Sequence, residues 1–133
     1  MASGTITVRT NSQMELVDVT SQVTATVAQA GIQEGLCVLY NPHTTAGVTI
    51  NEGADPAVRR DIIAGLKEFV PLNFPFHHLE GNSPAHIMAS LIGSSVTVFI
   101  QGGRLLLGTW QKIFFCEFDG PRTRKLHWKI LAG

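Results

Sequence analysis

Two proline-marked helix starts sit in the middle of this chain, and they constrain its fold more than any other feature. Asp55-Pro56 and Ser83-Pro84 each put a side chain able to cap a helix directly before a proline. Proline has no N–H and a fixed φ, which suits the first turn of a helix and excludes the interior of a central strand. After the first start, Val58, Ile62, Leu66 and Phe69 recur at helical spacing; after the second, Ile87, Met88, Leu91 and Ile92 form an apolar face that Gly93 closes. The flanks read differently. Residues 6–8 and 14–19 read as short strands joined by a polar turn at 10–13, and 35–40 and 45–50 as strands either side of the Asn41-Pro42 break. Residues 95–101, 104–107, 109–118 and 125–131 form a β-rich final third that turns at Gly102-Gly103. A short early helix is expected from a Thr20 or Ser21 cap through Ala30, closed by Gly31. Strands at both ends with helices between predict an α+β domain with a largely antiparallel sheet and a few helices.

No repeat, low-complexity tract or linker interrupts the 133 residues, so the expectation is a single domain spanning 1–133, without room for a separate dinucleotide-binding domain. Hydrophobic residues make up 44%, and charged residues only 15%, against about a quarter in ordinary globular chains. So few charges on a small chain, with a mean hydropathy of +0.17, predict that apolar surface is hidden in an oligomer. Ten Lys and Arg balance ten Asp and Glu, which argues against a nucleic-acid or anionic-membrane partner. The first residues lack the basic segment and apolar core of a signal peptide, and the apolar runs at 96–100 and 113–116 are too short to span a bilayer. A cytoplasmic protein is expected. Cys37 and Cys116 each lie in an apolar run and read as buried thiols.

Chemistry-bearing residues gather near turns. His43 follows Asn41-Pro42, His78 stands in HHLEGNSPAH, and His86 falls in the first turn of the Ser83 helix. Imidazoles arriving from two loops and a helix can build a three-nitrogen metal site with an open position, although no compact HxxxH or HExxH pattern is present and local hydrogen bonding is the plainer alternative. Glu52 and Glu80 are the candidate catalytic carboxylates, Glu80 also as an orienting partner of the histidines, whereas Asp55 reads as a helix cap. Gly81-Asn82-Ser83 before a helix offers amides to a phosphate, and Gly102-Gly103-Arg104 joins a turn to a guanidinium suited to one. Trp110-Gln111 at the start of an aromatic strand suits a flat ring, through stacking and an amide hydrogen bond. Arg122 and Arg124 after the Asp119-Gly120-Pro121 turn read as a small basic corner.

The stretches HTTAGVTINEGADPAVRRDI, HLEGNSPAHIMASLIGSSVTV and GGRLLLGTWQKIFFCEFDGPR, in that order, closely resemble the YjbQ-like family, named for a secondary thiamine-phosphate synthase activity. The resemblance covers nearly the whole chain and is weakest over the first thirty or so residues. It implies an α+β homotrimer in which His43, His78 and His86 converge with Glu52, Glu80 and Asn82 near one cleft. It favours the metal-site reading of those histidines, with zinc or magnesium as the ion. The implied activity joins a pyrimidine diphosphate to a thiazole phosphate and releases pyrophosphate. Glu52, Glu80 and His86 are then the catalytic candidates, and Asn82, Ser83, Arg104, Trp110 and Gln111 bind a small phosphorylated substrate. Two alternatives use the same cleft: a metal-dependent hydrolase built on the three histidines, and a trimeric phosphate- or metabolite-binding protein without turnover. Pro84 departs from the acidic or small residue common at that position in the family.

Overall fold

The structure, a computed structural model, describes residues 2–133. In chain order the elements are β1 (Ala2–Arg9), β2 (Glu15–Asp18), α1 (Thr20–Ala30), β3 (Glu34–Tyr40), β4 (Ala46–Glu52), α2 (Pro56–Phe69), α3 (Ser83–Ile92), β5 (Ser95–Gln101), β6 (Arg104–Leu105), β7 (Gln111–Glu117) and β8 (Thr123–Ala132). They form a five-stranded sheet, β1-β8-β3-β5-β6, and a three-stranded sheet, β2-β7-β4, paired antiparallel throughout. This is the α+β arrangement the sequence predicts.

The turn at 10–13 does not close a hairpin. β1 pairs with β8, Ala2 opposite Ile130, while β2 pairs with β7, so the turn carries the chain from one sheet to the other. β7 has the opposite of an amphipathic pattern, and its place explains why. Ile113 and Phe115 join the core between the sheets with Val8, Leu39 and Leu126. Phe114, Cys116 and Phe118 join a second core with Leu16, Met88 and Ala89, under α2 and α3. Where the strand is covered on both faces, from Ile113 to Cys116, successive residues are apolar on either side. Gly35 is required where β3 crosses β8, since a Cβ there would lie 2.0 Å from the Leu131 carbonyl oxygen.

Helix ends show how local chemistry sets the frame. Gly31 closes α1 in the left-handed region at φ 67°, as expected. Thr20 is not its cap: Thr20 is the first helical residue, its N–H donates to Asp18 Oδ1 at 2.9 Å, and its hydroxyl oxygen accepts the Ile113 N–H at 2.8 Å. Val23 and Val27 face inward and are buried, so β-branching here serves packing. Asp55 caps α2 as predicted, its Oδ1 accepting the Ala57 N–H at 2.9 Å ahead of Pro56. Yet no α2 residue is fully buried, and Phe69 at the end of its apolar stripe is 81% exposed. The second start shifts by one residue. Asn82, not Ser83, is the N-cap of α3, and it makes no side-chain cap bond.

Candidate functional site

A buried asparagine shapes the loop that presents His43. Asn41 Oδ1 accepts the His43 N–H at 3.0 Å, and Asn41 Nδ2 donates to the Ala46 carbonyl at 2.7 Å, clamping the turn between β3 and β4. His43 Nε2 accepts the backbone N–H of Lys125 at 2.8 Å. A ring accepting at Nε2 is neutral and carries its proton on Nδ1. Burial, and then the positive charge of Arg124, lower the His43 pKa from its ordinary value, with Glu117 opposing them.

Behind His43 lies a network that the sequence did not disclose. Arg124 is not part of an exposed basic corner; it is buried against the fully buried Glu117. Arg124 Nε donates to Glu117 Oε1 at 2.8 Å, and its Nη2 reaches both Glu117 Oε2 and the Thr45 hydroxyl. Thr10 adds a hydroxyl donor at 2.8 Å, and the Asp119 N–H another at 3.0 Å. Burial alone would raise the Glu117 pKa, but the hydrogen bonds from Arg124, Asp119 and Thr10, with the guanidinium charge, hold it below its ordinary value. The pair ties β7 of the small sheet to β8 of the large one. The signal in the sequence was a lone glutamate inside the apolar run IFFCEF, where a charge survives only if paired.

His86 shares a cleft of about 380 Å³ with His43, lined also by Thr44, Ser90 and Ser94. The His78 ring stands edge-on to His86 with centroids 5.5 Å apart, and Glu80 approaches His78 Nε2 to 4.0 Å on the exposed side. Asn82 adjoins this group at the start of α3. Its Nδ2 donates to Asp119 Oδ2 at 2.9 Å, while its Oδ1 is buried without a partner. Asp119 Oδ2 also accepts Arg122 Nη2 at 3.2 Å, so one carboxylate joins Asn82 to Arg122 beside Gly81–Ser83.

The remaining expected residues lie elsewhere. β4 and β7 run six residues from the His43 end to Glu52 and Gln111, roughly 20 Å at the rise of a strand. There Glu52 Oε2 accepts the Asp55 N–H at 2.9 Å, and Gln111 Oε1 accepts the Gly108 N–H at 2.8 Å, so both brace their own turns. Trp110 is exposed. Arg104 is exposed at the far end of β5, opposite Gln101. The amides of Gly102 and Gly103 are taken by Glu34 Oε1 and the Gln33 carbonyl, which leaves the turn without donors for a phosphate. Within one chain, then, Glu52 does not join the histidines, contrary to what the resemblance implied. Nor does one chain assemble the three-histidine ion site: among the described residues no three His, Cys, Asp or Glu side chains are placed to hold a metal. The physical reason at His43 is that Nε2 is engaged by Lys125. Cys37 and Cys116 are buried and unpaired, and burial pushes their thiols up to about 11 and about 12.

A two-sheet α+β domain with helices on its small sheet and an imidazole cleft at one end defines a recognisable class of small proteins. The model of the family described as UPF0047 protein YjbQ-like matches residues 4–133, and the chain belongs to that family. A UPF0047 protein of Methanocaldococcus jannaschii is 52% identical over 94% of this chain and 91% of its own length. The UPF0047 protein YugU of Bacillus subtilis is 45% identical over 96% of this chain and 98% of its own. Among solved structures, an uncharacterized YjbQ/UPF0047 protein of Clostridium acetobutylicum superposes with a TM-score of 0.93 at 48% identity, covering 96% of this chain and 98% of that one. A Sulfolobus solfataricus protein of unknown function gives 0.95 at 36% identity, covering 99% and 97%. No helix among the described residues is long and apolar enough to cross a membrane.

Proposed function

We propose that this protein is a small-molecule enzyme acting on a phosphorylated substrate in the His43–His86 cleft, by coupling chemistry of the thiamine-phosphate synthase type. The observation that carries the reading is the pairing of two imidazoles from separate elements in one cleft, His43 biased neutral and His86 backed by His78. His43, with Nε2 accepting the Lys125 N–H, offers its Nδ1–H as a donor, and the His86 imidazole stands in the same cleft as a group able to give or take a proton. In the proposed reaction a thiazole nitrogen attacks the methylene carbon of a pyrimidine diphosphate. The carbon–oxygen bond breaks, and pyrophosphate leaves with the bonding pair. His86 and the Ser94 hydroxyl, both lining the cleft, offer donors to the departing oxygens. The hydrolase alternative requires three donors on one zinc or magnesium ion, a set that one chain does not bring together, so these roles are assigned to side chains alone.

The reading includes a homotrimer. Leu36 lies opposite both Phe99 and Leu131, and all three are exposed on the outer face of the large sheet. Self-association would cover that face, and would be the way for Arg104, Trp110, Gln111 and Glu52 of one copy to reach the cleft of another. Balanced charge supports a small-molecule partner over nucleic acid or a membrane, and a cytoplasmic location goes with it. Incubation with both precursors and magnesium, read by chromatography, is expected to give thiamine phosphate, with His86→Ala slower by about 100-fold. Absence of product above blank overturns the synthase reading. Light scattering is expected to give about three chains per particle, and a stable monomer overturns the trimer.

A further inference from the structure

A second concavity, away from the histidines, opens between α2 and β2. Its volume is about 600 Å³, within the range of roughly 300–1,000 Å³ that small-molecule sites occupy. Met14, Leu16 and Ile63 form an apolar floor, and Arg59, Arg60 and Lys67 stand around it. The groove exists because α2 presents a mixed face to β2: at the spacing of successive turns it interleaves cations with Ile63 and Ala64, so no residue of the helix is fully buried.

Three of the ten Lys and Arg residues of a chain with zero net charge therefore surround one groove. No carboxylate lies within 4.0 Å of any of them among the described residues. Glu15, the only acid lining the groove, already accepts the backbone N–H groups of Asn11 and Ser12. Arg59 is the most telling. Its guanidinium carbon sits 5.0 Å from the centroid of the fully buried Phe114 ring, and its Nε is buried with no hydrogen-bond partner. A guanidinium that lines the groove while held over an aromatic ring meets an anion with little ordering left to do, because its planar fork is already oriented.

We propose that this groove binds a soluble amphiphilic organic anion, whose compact apolar body lies on Met14, Leu16 and Ile63 and whose phosphate or carboxylate head meets Arg59, Arg60 and Lys67. The head explains the unpaired cations, and the body explains the uncovered floor. The site is separate from the histidine cleft and independent of the activity assigned to it.

Octyl phosphate, titrated calorimetrically below its micelle concentration, is the probe, with octanol and inorganic phosphate as half-ligands. Octyl phosphate is expected to bind at least about tenfold more tightly than either half, and its affinity is expected to fall as salt rises. The R59M/K67M variant keeps apolar volume while removing charge, and is expected to weaken binding by about tenfold or more with unchanged thermal stability. Should that variant unfold, Arg60→Met at an exposed position supplies the same test by removing charge from the rim. His86→Ala is expected to leave octyl phosphate binding unchanged. Equal binding of octanol and octyl phosphate, undiminished binding in the variants, or binding only to anionic lipid vesicles would overturn the proposal.

Discussion

The two ends of β7 are built from similar residue types and do opposite things. At the Glu117 end, a carboxylate, a guanidinium and two threonines answer one another completely and are sealed from water. At the Gln111 end, Gln111 and Glu52 close their own turns, Trp110 faces solvent, and Lys112 lies exposed over Gly53. The contrast teaches that a polar residue's type says little about its work until its hydrogen bonds are traced. His43 is tied to the sealed end: burial first, and then the Arg124 charge behind it, lower its pKa against the opposing Glu117, while it lines the cleft.

The largest expected effect breaks the sealed end. Arg124→Ala leaves Glu117 buried and unpaired and is expected to cost about 3–5 kcal/mol in denaturant unfolding. The E117L/R124M double variant removes both charges and should recover a large part of that loss, since apolar replacements of a buried pair are often tolerated. A double variant no more stable than Arg124→Ala would show that Thr10 and Thr45, not the ion pair, hold the two sheets together.

Acid should act on the same end. The folded state lowers the pKa of His43 from 6.5 and that of Glu117 from 4.5. In both cases the unfolded chain binds protons more readily, so stability rises with pH across these windows. The protein is expected to lose stability as pH falls below 6.5 through His43, and again below 4.5 as Glu117 protonates. Thermal melts of His43→Gln should lack the upper part of this slope; an unchanged slope would mean that another group is titrating.

Smaller effects belong to the other end. Asp55→Ala removes the α2 cap and should cost about 1 kcal/mol by equilibrium unfolding. Arg104→Ala and Trp110→Ala, both exposed, should stay within about 0.5 kcal/mol of wild type in the isolated chain. A larger loss that depends on protein concentration would place them in contact between copies.

The sequence revealed the elements well because their signals are local. Proline after Asp55, Gly31 after α1 and the Gly102-Gly103 turn each act within a few residues. Pairing was less legible, since nothing local tells β1 to seek β8 and not β2. At the site, His43 and His86 were found from their turns and do share a cleft. That Glu52, Gln111 and the Gly102-Gly103 amides close their own turns within the chain was not legible, because the groups that satisfy them lie in turn geometry that spacing does not show. Arg124 was misread for a different reason: its partner is seven residues away and on another sheet.

The pairing of β1 with β8 has a consequence for how the molecule comes into being. A strand at the start of the chain waits for its hydrogen-bonding neighbour until residues 123–132 have emerged from the ribosome. Bringing such distant segments together is entropically slow. Until then both edges of β1, which is an edge strand of its sheet, stay open to foreign strands. Folding of this domain should therefore complete only once β8 has been made, and a pause in synthesis before residue 123 should raise its tendency to aggregate. The same closeness of Ala2 to Ile130 suits the chain to circular permutation, because a short linker can join the ends and fresh ends can be opened at the Gly102-Gly103 turn.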